Sequence, residues 1–76
     1  MTGPAPAGWI VDLTNMAEEG WELPTTVVNG IITAIKGLIT AGTVTDAAIV
    51  TILTDAGVGA EAAEIAAPLI VAAIAV

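Results

Sequence analysis

The sequence predicts an all-α protein: a small bundle of three to four short helices with an extended N-terminal arm and an apolar C-terminal segment. Three observations predict it. Apolar residues recur at three- and four-residue spacing through most of the chain. Residues that start and stop helices flank those runs: Thr45-Asp46 before one, and Gly20, Gly42 and Gly57 after three. The chain has only 76 residues, 57% of them apolar and 12% charged, so it holds one domain at most and has little polar surface to spare.

Residues 1–8 read as an arm. Pro4 and Pro6 favour extended geometry, and Gly3 and Gly8 loosen its ends. A neighbouring subunit is the expected support for such an arm. Residues 9–76 then form a single small helical domain.

The first helix is expected over 9–19. Trp9, Ile10, Leu13, Met16 and Ala17 share one face, with Asp12, Asn15, Glu18 and Glu19 largely on the other. Gly20 is the expected left-handed stop. Trp21 reads as a packing residue. Trp9 reads as packing or as an anchor at an interface, where Trp is enriched.

Leu23-Pro24 breaks the chain, and Thr25 or Thr26 is the expected N-cap of the next helix. That helix, 26–41, reads as the element around which the rest is organised. It carries a heptad echo: Thr at 26, 33 and 40, and Gly at 30 and 37. Val27, Val28, Ile31, Ile32, Ile35, Leu38 and Ile39 make a broad apolar face. Thr26, Asn29, Gly30, Thr33, Lys36, Gly37 and Thr40 make a narrow stripe of small and mildly polar residues. Gly30 and Gly37 each cost about 1 kcal/mol relative to Ala inside a helix. Their shared face suggests the close approach of a second helix.

Thr45 is the expected N-cap of a third helix whose apolar face is Ala48, Ile49, Ile52, Leu53 and Ala56. Gly57-Val58-Gly59 turns the chain. The last helix starts at Ala60, with Glu61 and Glu64 complementing its dipole. Pro68 removes the bond to the Glu64 carbonyl and is expected to kink or stop the helix. Residues 69–76 are apolar on every side, which predicts a segment buried all round, as helix or as strand.

Several functions are excluded or weakened by composition. There is no Cys and no His, so thiolate ligands and the commonest metal ligand and general base are missing. Arg, Ser and Gln are also absent, and Lys36 is the only base. Glu18, Glu19 and Glu22 cluster in sequence, but a solvated acidic face explains them better than acid–base work. No calcium-loop spacing is present. No enzyme activity, cofactor or metal is expected. A net charge of −7 opposes nucleic-acid binding and the cationic membrane-surface class. No basic side chain and no apolar leader core appear near the N-terminus, so no secretory signal peptide is expected. The uncharged runs 23–35, 37–45, 47–54 and 65–76 hold 13, 9, 8 and 12 residues. All fall short of the roughly 18–20 that cross a bilayer. Joining the first two would place the Lys36 ammonium near mid-membrane, which disfavours a span.

The expectation is a non-enzymatic structural subunit, a homo-oligomer or part of a larger assembly, that self-assembles through apolar helices. A small virus or phage particle protein (capsid, coat or decoration) or a filament subunit fits. A membrane-active protein (holin, pore subunit or bacteriocin) and a small protein-binding adaptor are the alternatives. The residues expected at packing interfaces are Trp9, Trp21, Gly30, Ile31, Ile35, Gly37, Leu38, Leu69, Ile70 and Ile74. Lys36 is expected to pair with a carboxylate, in an oligomer one from a neighbour.

Overall fold

The computed structural model describes residues 8–75, and all regular structure among them is helical. Four α-helices follow one another: α1 (Gly8–Asn15), α2 (Thr25–Ala41), α3 (Asp46–Asp55) and α4 (Ala60–Ala75). The predicted arm lies outside the described residues except for Gly8, which is the first residue of α1.

The α1 chain does not stop at a left-handed Gly20. It widens into a π-helical turn over Met16–Gly20. The Trp21 amide donates to the Met16 carbonyl at 2.9 Å, five residues back, and the Leu23 amide to the Ala17 carbonyl at 2.9 Å. The left-handed residue is Glu22, with φ 57°. The wide turn keeps Ala17 buried while Glu18 and Glu19 stay in solvent.

The predicted Thr25 or Thr26 cap of α2 is replaced by Pro24. Its backbone is extended (φ −66°, ψ 153°), and its carbonyl accepts from Val27 and Val28, both at 3.0 Å. Proline's fixed φ and lack of an amide suit this position, so no side-chain cap is used. The other end behaves as expected. Gly42 is left-handed at φ 72°, and the Thr43 and Gly42 amides donate to the Leu38 and Ile39 carbonyls, the Schellman pattern. The α3 helix ends the same way. Gly57 sits at φ 103°, the Val58 and Gly57 amides donate to Leu53 and Thr54, and Val58 is thereby turned into the core. At its start the Thr45 hydroxyl oxygen accepts from the Ala48 amide at 3.1 Å.

Pro68 does not stop α4, which runs on to Ala75. Pro68 and Glu64 are both exposed, so the missing bond falls on the solvent side of the helix, where water can satisfy the Glu64 carbonyl. Residues 69–75 are therefore helix and not strand.

The core brings together Trp9 and Leu13 of α1, Ile31 and Ile35 of α2, Ile49 and Leu53 of α3, Val58, and Ala63, Ala66, Ala67 and Ile70 of α4. No polar or charged residue is buried among the described residues. The predicted organising role of α2 passes to α4. The last helix lies against both α3 and α1, while α2 touches α3 and the π turn. The reason is side-chain size. Ala63, Ala66 and Ala67 give α4 a smooth inner face that lets two helices approach, whereas the glycines of α2 face away from the core.

Candidate functional site

The residues with the clearest unmet need are apolar ones on the outside of α4. Ile65 is 70% exposed and Leu69 is 59% exposed. They stand one turn apart, so they lie on the same side of the helix. Around them Glu61, Glu64, Pro68, Ala72 and Ala75 are also exposed. The inner side is Ala63, Ala66, Ala67 and Ile70. The α4 helix is thus apolar on both sides, but among the described residues only one side is covered. The tail is not enclosed by the other described residues, as expected of an apolar segment that so small a domain can hardly bury by itself. Of its residues Ile70 is buried and Val71, Ala73 and Ile74 half-buried.

Two shallow grooves flank this framework. One, of about 410 Å³, runs between α1 and α4 and is lined by Trp9, Asp12, Asn15, Met16, Leu69, Ile70 and Ala73. The other, of about 280 Å³, is lined by Val27, Gly30, Ile31, Ala34, Ile52, Asp55 and Ala56, between α2 and the end of α3. Each offers one carboxylate beside an apolar floor. That is a surface suited to packing, and neither holds the paired acid and base or nucleophile that catalysis requires. Among the described residues no three carboxylates gather closely enough to hold a metal ion.

The predicted packing residues separate into three groups. Trp9, Ile31, Ile35 and Ile70 are buried in the subunit's own core. Trp21, Leu38 and Ile74 are half-buried and packed against that core. Gly30, Gly37 and Leu69 are on the outside. A Cβ added at Gly30 or at Gly37 would meet nothing within 4 Å, so no helix among the described residues closes on them. Lys36 is exposed on the same helix. The nearby Thr33 hydroxyl donates to the Asn29 carbonyl at 2.9 Å, which spends its proton inside α2. The exposed side of α2 is therefore low in relief, with Lys36 as the helix's single charge.

Ile65 was not singled out by sequence reasoning, nor was Val11, which is 57% exposed. The signal for Ile65 was available: counted by 3.6 from the alanines at 63, 66 and 67, it falls on the far side of the helix. All eight carboxylates are exposed: Asp12, Glu18, Glu19, Glu22, Asp46, Asp55, Glu61 and Glu64. None of them lies beyond Glu64, so the side chains of residues 65–75 carry no charge. No helix among the described residues is long and apolar enough to cross a membrane.

No known protein family, curated protein or solved structure matches the chain.

Proposed function

We propose that this protein is a non-enzymatic structural subunit that self-assembles through its helices into a larger particle. The particle is that of a small virus or phage, with the chain as capsid, coat or decoration component; a cell-surface filament is the other kind of assembly that fits. The observation that carries it is the outer side of α4, where Ile65 and Leu69 stand in solvent beside an uncharged run of apolar residues. Burying such side chains is favourable by about 25 cal/mol for each Å² removed from water. Contiguous apolar surface of this kind marks contact sites. The core of the described residues is already filled by the opposite side of the same helix, and none of them covers the outer side, which supports contact with another chain.

Sedimentation velocity with negative-stain electron microscopy, on protein purified without detergent, tests the proposal. Particles of defined size and shape are the expected result. A monomer at every concentration up to the solubility limit would exclude self-assembly and favour an adaptor. Protein that stays dispersed only in detergent would favour a membrane-active role.

A further inference from the structure

Resting on the assembly reading, the charges of the subunit select which surfaces meet. We infer that α4 of one copy docks antiparallel on the exposed side of α2 of the next copy, with Lys36 of one paired to Glu64 of the other.

The only ionisable side chain in α2 is Lys36, and the only ones in α4 are Glu61 and Glu64. All three are exposed. In a chain of net charge −7, α2 is the one helix of positive sign. A pairing of α4 with α4 gathers four carboxylates, whereas α4 with α2 sets opposite signs together, which favours the second by Coulomb attraction.

Shape agrees. The α4 surface projects Ile65 and Leu69, and the α2 surface is cut back at Gly30 and Gly37, where 4 Å around an added Cβ is empty. Small residues on one helix and large ones on the other permit close approach. Gly30 and Gly37 are seven residues apart, and so are Ile65 and Ala72, which is about 10.5 Å at 1.5 Å per residue. Setting Ile65 beside Gly37 and Ala72 beside Gly30 requires the two helices to run in opposite directions. Lys36 then stands opposite position 66. Glu64 is two residues away, about 3 Å along the axis and well within the reach of a lysine.

Direction is fixed independently by the edges. At 100° per residue, Lys36 lies about 70° to one side of the middle of the exposed α2 surface. Glu64 lies about 70° to the same rotational side of the exposed α4 surface. When two helices face each other, equal rotational offsets fall on the same edge only if the helices are antiparallel. A parallel pairing puts Lys36 and Glu64 on opposite edges.

The two surfaces belong to different helices, so each copy offers one of each. Where the two contacts are not closed on each other in a two-fold pair, the association is head-to-tail and propagates as a ring or an open filament according to whether the rotation closes.

The test is a charge exchange. Lys36→Glu and Glu64→Lys are each prepared in the full chain, with helical circular dichroism as the control that both fold. Each variant alone faces like charge at the contact, and its half-assembly concentration is expected to rise at least tenfold over wild type. Mixed in equal amounts, the two variants can alternate with opposite charges at every contact, and assembly is expected to return. Wild-type-like assembly by either variant alone, or failure of the mixture, overturns this contact while wild-type particles keep the assembly reading intact. A wild-type chain that stays monomeric overturns both.

Discussion

Ile65 and Leu69 stand one turn apart on the outer side of α4, and both keep more than half of their surface in water. Their neighbours two residues toward the core from each position, Ala63 and Ala67, are fully buried. One helix therefore divides two roles between its sides, folding the subunit with small residues and presenting large ones. Replacing the pair by Gln, Ile65→Gln with Leu69→Gln, separates the roles. The double variant is expected to keep its helical spectrum and melting temperature and to lose higher-order mass in light scattering, because neither side chain contributes to the core and Gln is a good helix former.

Leu53 is the contrasting case. It has no exposed surface and lies in the cluster with Leu13, Ile49 and Ile70. Leu53→Ala is expected to lose about 2–5 kcal/mol. A chain of this length holds roughly 4–11 kcal/mol in all. Urea unfolding should show a large drop in midpoint or a chain already unfolded in buffer.

Glycine substitutions should split by sign. Gly42→Ala forces an L side chain into a left-handed backbone at φ 72° and should destabilise the subunit by about 1–2 kcal/mol. Gly30→Ala and Gly37→Ala enter helical backbone with open space around the new methyl and should stabilise it by up to about 1 kcal/mol each. If α2 receives a helix from another copy, the same two substitutions should weaken assembly, so urea midpoint and particle mass move in opposite directions.

Two capping positions allow a finer check. Thr45→Ala removes the acceptor for the Ala48 amide and should cost about 1 kcal/mol, with Thr45→Ser restoring it. Glu22 holds a left-handed backbone at φ 57° that Gly adopts freely. Glu22→Gly should stabilise the chain by about 1 kcal/mol in the same titration.

Much of this fold was legible in the sequence, because helix signals are local. The buried sets Leu13 with Ala17, Val28 with Ile31 and Ile35, and Ile49 with Leu53 follow from 3.6-residue spacing. Thr45 and Gly42 each act through a bond to a residue three positions away, and both were readable. The π turn was not, because Glu18-Glu19-Gly20 reads as an ordinary helix end and the wider turn depends on keeping Ala17 inside against the rest of the molecule. The rank of the helices was also hidden. Periodicity gives α2 the cleaner apolar face, but Ala63, Ala66 and Ala67 let α4 approach two partners, and that advantage exists only in three dimensions. The continuation of α4 through Pro68 depended on which side of the helix meets water, so it needed the tertiary arrangement as well. Of the interface residues, Leu69 could be picked from the apolar tail, while Ile65 was masked by the two glutamates before it.

Self-assembly is measured most simply as the mass of the wild-type chain in detergent-free buffer, by light scattering after size exclusion at low micromolar concentration. The subunit mass is 7.5 kDa. A discrete species at a high multiple of that mass is expected, lost in the Ile65→Gln, Leu69→Gln variant. A wild-type chain that elutes as a stable, folded monomer would rule out self-assembly through α4.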